Sequence, residues 1–138
     1  MKGEYQFSLD HIHDAAHWFW DQMADHKVVA LHGHMGAGKT SFVHALCDVI
    51  NIKDPVSSPT FSLINEYLVP GGEKIFHIDL YRIKDEEEAI QAGIEDVLYS
   101  GSVCFVEWPE KAPAIFPTGT LEIRLFVNPD QSRTIKLL

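Results

Sequence analysis

The chain has 138 residues, of which 46% are hydrophobic, and its 11 basic and 20 acidic residues give a formal net charge of −9 at neutral pH. This length predicts one domain, spanning 1–138, with a core of its own. The acidic balance argues against autonomous nucleic-acid binding, which depends on neutralising phosphates with Lys and Arg.

Cysteine usage and hydropathy indicate the compartment. Cys47 and Cys104 lie far apart and form no C-x-x-C pair, so we expect buried, reduced thiols of the kind found in cytoplasmic proteins. No apolar run approaches the ~18 residues of a membrane span, and the first residues carry no signal-peptide pattern. The sequence therefore predicts a cytoplasmic protein with no membrane partner.

Hydrophobic periodicity predicts alternating strands and helices. The expected strands are 4–9, 28–31, 61–68, 75–79, 103–107, 121–127 and 133–138. The expected helices are 10–23, 41–50 and a short helix that begins at 85–88 and ends at Gly93. Turn signals at 69–73 and 128–130 indicate two antiparallel hairpins. This order predicts an α/β fold, a three-layer sandwich whose mixed sheet has a mostly parallel core.

The stretch from Gly33 to Thr40 fits the P-loop pattern G-x-x-x-x-G-K-[ST]. It follows an apolar strand and precedes a helical pattern, so a helix N-terminus adds its partial positive charge to the loop. Glycines adopt positive φ at little cost, which lets backbone N–H groups turn toward an anion. Lys39 is the expected partner of the β- and γ-phosphates, and the Thr40 hydroxyl is the expected Mg²⁺ ligand. The motif therefore predicts a nucleoside triphosphate site on a P-loop NTPase-like fold.

A second Mg²⁺ ligand is expected at the end of an apolar strand, where a carboxylate reaches a metal beside the phosphates. Glu107 and Asp79 both meet this condition, and we favour Glu107 as the metal-side acid. Asp79 acts directly, is a solvated strand end, or pairs with Arg82. Thr60, in a loop with two prolines, is a candidate sensor of the γ-phosphate or a turn hydroxyl that bonds its own backbone.

Four motifs in succession carry a family resemblance. They are G-A-G-K-T at 36–40, S-P-T-F at 58–61, H-I-D-L-Y-R at 77–82 and V-E-W-P at 106–109. In this order they resemble the signatures of the TsaE family, small bacterial P-loop ATPases needed for the threonylcarbamoyl modification of adenosine 37 in tRNA. The resemblance covers nearly the whole chain. It implies ATP as the nucleotide, Mg²⁺ held by Thr40 and Glu107, a γ-phosphate response near Thr60, and a requirement for Asp79 in hydrolysis.

The resemblance implies further contacts that no pattern in the chain shows independently. The phosphates would meet the loop residues Gly36, Ala37, Gly38, Lys39, Thr40 and Ser41. Trp108 would stack beside the site, and the base would lie between Leu9 and Asp10 on one side and Arg133 on the other. The chain departs from the family at His34, where an acid is usual. Its implied partners are the TsaB and TsaD proteins, and tRNA would be reached only through that complex.

The leading functional prediction is a slow, Mg²⁺-dependent ATPase that resets or regulates the TsaB–TsaD complex, while TsaD carries out the transfer. A small-molecule kinase is the runner-up, but it would need an Arg-bearing lid, and the chain has only Arg82, Arg124 and Arg133. A GTPase switch would need an N-K-x-D segment, which the sequence does not contain. A nucleotide-binding regulator with incidental hydrolysis is the non-enzymatic alternative.

Overall fold

The computed structural model of the chain describes residues 3–52 and 63–138, and a seven-stranded mixed sheet organises them. The strands are β1 Glu4–Phe7, β2 Val28–His32, β3 Ile64–Leu68, β4 Lys74–Asp79, β5 Val103–Glu107, β6 Leu121–Val127 and β7 Arg133–Leu137. Their spatial order is β1-β7-β6-β2-β5-β4-β3. The central strands β6, β2, β5 and β4 run parallel, and antiparallel pairs flank them on both sides. The predicted mixed sheet with a mostly parallel core is confirmed.

Helices cover both faces of this sheet. Helices α1 (Ile12–Met23) and α2 (Lys39–Asp48) pack on one face, and α3 (Glu86–Gln91) and α4 (Ile94–Leu98) pack on the other. Successive strand residues point to opposite faces, so Phe105 joins the core under α1 and α2 whereas its neighbours Cys104 and Val106 join the second core. The predicted three-layer arrangement is confirmed. Among the described residues, no helix combines the length and apolar character needed to cross a bilayer.

Element boundaries differ from the sequence predictions at several places. The first helix is preceded by a 3₁₀ turn at Leu9–His11, and α2 begins at Lys39 because the P-loop leads directly into it. Helix α4 was not predicted, since its five residues are too few to show a helical period. The pairing of β1 with β7 was also missed, because it joins segments more than a hundred residues apart.

The carboxyl ends of β2, β4 and β5 meet at one edge of the sheet. In open α/β sheets, this edge is where ligands bind. The P-loop follows β2, Asp79 ends β4, and Glu107 ends β5. The register of β4 with β5 sets Asp79 opposite Glu107, so both strand-end carboxylates start from adjacent backbone positions.

Candidate functional site

The P-loop has the backbone shape of an anion site. Gly33, Gly36 and Gly38 have φ values of 152°, 81° and 101°, a range that favours glycine. A Cβ added at Gly33 would lie 3.1 Å from the carbonyl oxygen of Leu125, so this position also lacks room for a side chain. Helix α2 begins at Lys39, and the amides of its first turn have no carbonyl of their own helix to bond. These amides are available to a phosphate.

The Lys39 side chain is folded into the protein, with 5% of its surface exposed. Its Nζ donates to the Gly33 carbonyl oxygen at 2.6 Å and lies 3.5 Å from the centroid of the Trp108 ring. Burial lowers the pKa of Lys39, and the nearby charges of Glu107, Glu110 and Asp79 oppose that effect. In the described part of the chain, no carboxylate lies within ion-pair distance of Nζ. A bound polyphosphate would supply the charged partner that this desolvated ammonium lacks.

Trp108 owes its position to an unusual backbone conformation. It has φ 59° and ψ 48°, the left-handed region, which is costly for a bulky residue. This turn directs the indole over Lys39, and the Tyr81 ring lies 5.1 Å from it, centroid to centroid. The aromatic pair therefore forms one wall of the site.

Thr40 and Glu107 are in direct contact. The Thr40 hydroxyl donates to both carboxylate oxygens of Glu107, at 2.8 and 3.0 Å, and Glu107 is only 3% exposed. Burial raises the pKa of Glu107, but the hydrogen bond and charge of His77, followed by Thr40 and Lys39, outweigh it and hold the pKa below its usual value. Glu107 is therefore ionised at neutral pH. Hydroxyl and carboxylate oxygens beside a phosphate cradle are the donor set that suits Mg²⁺, so these residues fit the metal.

His77 lies behind Glu107, and the sequence analysis did not select it as a site residue. Its Nε2 is 2.5 Å from Oε2 of Glu107, and its ring is 4% exposed. His77 precedes Asp79 by two residues, so the two side chains share one face of β4. That alternation was available in the sequence, but only the adjacency of β4 and β5 shows that this face reaches Glu107.

Asp79 lies at the mouth of the site and is exposed. Its Oδ1 accepts a hydrogen bond from the Tyr81 amide at 2.9 Å, which caps the turn after β4. Asp79 forms no ion pair with Arg82 among the contacts of the described residues, so the alternative of an Asp79–Arg82 pair does not hold here.

A cavity of about 340 Å³ brings most of the sequence-predicted residues together. Its lining residues are Met35, Gly36, Gly38, Lys39, Thr40, Ser41, Asp79, Tyr81, Glu107 and Trp108. Met35 and Tyr81 were not predicted, and both contribute exposed apolar surface to the rim. Thr60 lies outside the described residues.

The residues expected to hold the base lie beside this cavity rather than in its lining. Arg133 donates from Nε to the Ala37 carbonyl oxygen at 3.2 Å, which fastens β7 to the P-loop. Phe7 is its partner in the pairing of β1 with β7, so the turn that carries Leu9 and Asp10 starts next to Arg133. Their contact with a base stays a prediction.

The sheet order, the loop between β2 and α2 and the contact of Thr40 with the buried Glu107 define a protein of the P-loop fold class. A family model described as threonylcarbamoyl adenosine biosynthesis protein TsaE matches residues 7–135. The chain belongs to the TsaE family.

Curated relatives carry the same description. A protein of Haemophilus influenzae named tRNA threonylcarbamoyladenosine biosynthesis protein TsaE is 37% identical over 111 residues, which cover 80% of this chain and 69% of that protein. The protein of that name from Treponema pallidum is 36% identical, with 79% of each chain covered. The crystal structure of Bacillus subtilis YdiB has a similar fold, with a TM-score of 0.73, 23% identity, and coverage of 99% of this chain and 84% of that one.

Proposed function

We propose that this member of the TsaE family binds ATP with Mg²⁺ and hydrolyses it slowly, to reset or regulate the TsaB–TsaD complex. The observation that carries the proposal is the contact of the Thr40 hydroxyl with the buried Glu107 carboxylate, next to a P-loop whose lysine has no carboxylate partner among the described residues. An ionised carboxylate, a hydroxyl and an ammonium without a carboxylate partner among the described residues converge on one cavity. This combination of groups suits the binding of a metal-bound polyphosphate.

Each residue has a distinct role in this proposal. Lys39 and the amides at the start of α2 bind the phosphates, with Gly36, Ala37, Gly38 and Ser41 forming the cradle. Thr40 and Glu107 hold Mg²⁺, which neutralises developing charge on the phosphates when it is bound. Trp108 closes the wall over Lys39 and keeps water from the ammonium.

Asp79 has a different role in this proposal because the residue is exposed, at the mouth of the cavity. One of its oxygens, Oδ1, accepts from the Tyr81 amide, and the residue lines the cavity. We assign Asp79 to hydrolysis rather than to nucleotide binding, as a carboxylate that orients the attacking water. Thr60, outside the described residues, is the proposed γ-phosphate sensor.

The charge of the chain determines how it would act on tRNA. With a net charge of −9, the protein is poorly suited to hold a polyanion. We therefore propose that ATP stabilises one docked state on TsaB–TsaD, that hydrolysis releases it, and that the transfer itself is carried out by TsaD. The coupling is limited to the difference in affinity between the two states.

Turnover measurements test this function. ATP and GTP hydrolysis would be measured for the chain alone and with purified TsaB and TsaD, alongside multiple-turnover modification of tRNA. We expect slow ATP hydrolysis alone and a requirement for this chain in repeated rounds of modification. Dispensability there would refute the resetting role. Transfer of phosphate to a small acceptor would support a kinase, and full support of modification by a hydrolysis-deficient variant would support a non-enzymatic regulator.

A further inference from the structure

A buried row of polar side chains extends behind the metal-side acid. Asn65 on β3 and His77 on β4 are partners in the antiparallel pairing of these strands. Facing side chains of such a pair lie about 5 Å apart at Cβ. His77 contacts Glu107 on β5, and Glu107 contacts Thr40 at the start of α2. The row thus crosses three strands and ends at the P-loop.

Two buried atoms in this row have no hydrogen-bond partner in the described part of the chain. They are Oδ1 of Asn65 and Nδ1 of His77. Buried polar atoms without partners are uncommon and destabilising. The carboxamide of Asn65 has a donor as well as an acceptor, and an N–H donor is the group that an unprotonated ring nitrogen of His77 lacks.

The two oxygens of Glu107 are unequally engaged. Oε2 contacts His77 at 2.5 Å and accepts from Thr40 at 2.8 Å. Among the described residues, Oε1 has only the longer Thr40 contact, at 3.0 Å. Oε1 is therefore the oxygen of Glu107 that can accept a further interaction. Both the neutral Nε2–H tautomer and the imidazolium of His77 donate from Nε2, so this asymmetry does not depend on the charge of the ring.

A purely structural role does not account for His77. Its face of β4 is continuous with the apolar core under α1 and α2, where Ile75 is buried. Replacing buried polar pairs by packed apolar residues is often neutral or stabilising. A buried histidine in contact with a buried carboxylate is better explained by the need to orient the carboxylate.

We propose that His77 is a positioning residue for the metal site. Its Nε2–H holds Oε2 of Glu107 from behind and leaves Oε1 as the less engaged oxygen, which would be available to Mg²⁺. Asn65, the partner of His77 in the β3–β4 pairing, would orient the ring of His77 in turn. The inference rests on the proposed function, since it assumes that Glu107 binds Mg²⁺. Partners of this kind behind a ligand typically change metal affinity by about 10- to 100-fold.

Two amide substitutions isolate the Nε2–H group. In His77→Gln, the side-chain nitrogen reaches the position of Nε2, so the donor to Glu107 is kept. In His77→Asn, the shorter side chain reaches only the position of Nδ1, so that donor is lost. Both variants place a neutral, polar side chain at the site. Calorimetry would measure ATP affinity in EDTA and in Mg²⁺, and hydrolysis assays would determine the Mg²⁺ concentration for half-maximal rate.

We expect His77→Asn to raise the Mg²⁺ requirement by about 10- to 100-fold, with ATP affinity in EDTA unchanged. His77→Gln should stay close to wild type. Equal defects in both variants, an unchanged Mg²⁺ requirement in His77→Asn, or an equal loss of affinity in EDTA would overturn the inference.

Asn65→Leu provides a second measurement if His77→Asn does not fold, because it leaves His77 in place. It should raise the Mg²⁺ requirement in the same direction by a smaller factor, and an unchanged requirement would overturn the inference. A wild-type protein indifferent to Mg²⁺ would refute the proposed function and this inference together. A Mg²⁺-dependent wild type with unaffected variants would refute only the inference.

Discussion

Asp79 and Glu107 lie opposite each other in the register of β4 with β5, yet their carboxylates have opposite environments. Glu107 is 3% exposed and accepts from the Thr40 hydroxyl, whereas Asp79 is exposed and accepts from the Tyr81 amide. Paired carboxylates in different environments commonly perform different tasks. Glu107 is therefore the buried candidate for binding the metal, and Asp79 is the exposed candidate for a role in hydrolysis.

Removing the charge of Lys39 should abolish tight ATP binding. Lys39→Ala leaves the phosphates without their fixed charge partner, and comparable charged contacts contribute roughly 2–5 kcal/mol. Calorimetry with ATP measures the loss. Lys74→Ala is the matched control, because Lys74 is a half-exposed lysine at the opposite end of β4, paired with Glu66. Equal ATP affinity in Lys39→Ala and wild type would refute the assignment of the P-loop.

Glu107→Gln should weaken Mg²⁺-dependent hydrolysis more than it weakens ATP binding. The amide keeps an acceptor for Thr40 but loses the charge that a divalent cation needs. Thr40→Ala should act in the same direction. The Mg²⁺ concentration for half-maximal hydrolysis is the measurement, with Glu95→Gln on α4 as the control. A parallel loss of Mg²⁺-free ATP affinity would show that Glu107 supports the fold rather than the metal.

The lowered pKa of Glu107 predicts a pH dependence of stability. Its folded-state pKa lies below the ordinary 4.5. Its ionised form therefore contributes stability that is complete above about pH 4.5 and is lost as the pH falls through the folded-state pKa. Urea unfolding of wild type and Glu107→Gln at pH 3.5, 5 and 7 checks this. The advantage of wild type should shrink at the acid end, and a constant difference would contradict the prediction.

Asp79→Asn should retain ATP binding and complex formation but fail to support repeated cycles of tRNA modification. The amide oxygen still accepts from the Tyr81 amide, so the turn is kept while the carboxylate charge is lost. Asp79→Ala should show the same catalytic defect with some loss of stability. Multiple-turnover modification with purified components is the measurement. An Asp79→Asn protein that matches wild type would refute the resetting mechanism.

The two thiols should be inert in the folded protein. Burial raises the pKa of both Cys47 and Cys104 to about 12. At pH 8, only about one thiol in ten thousand is then the reactive thiolate, and access is limited as well. Alkylation with iodoacetamide followed by mass spectrometry should label neither cysteine before unfolding and both after it. Rapid labelling of Cys47 in the native protein would show that α2 opens readily.

Local patterns predicted the regular elements well. Strand 103–107 and strand 121–127 match the structure residue for residue. The first is a mostly apolar run, the second begins with apolar and charged residues in alternation, and turn signals bound both. Neither helix α4 nor the pairing of β1 with β7 was predicted from the sequence. The helix is too short to show a period, and the strand pairing depends on contacts that no local window contains.

The sequence by itself determined the P-loop, the α/β order and the family resemblance, because each is written in adjacent residues or in the order of short motifs along the chain. Only the tertiary structure decided which acid contacts Thr40. It also placed His77 in contact with that acid. The physical reason is strand order. Insertion of β5 between β2 and β4 brings residues 40, 77 and 107 into contact, and hydrophobic periodicity records the face of a strand but not its neighbour.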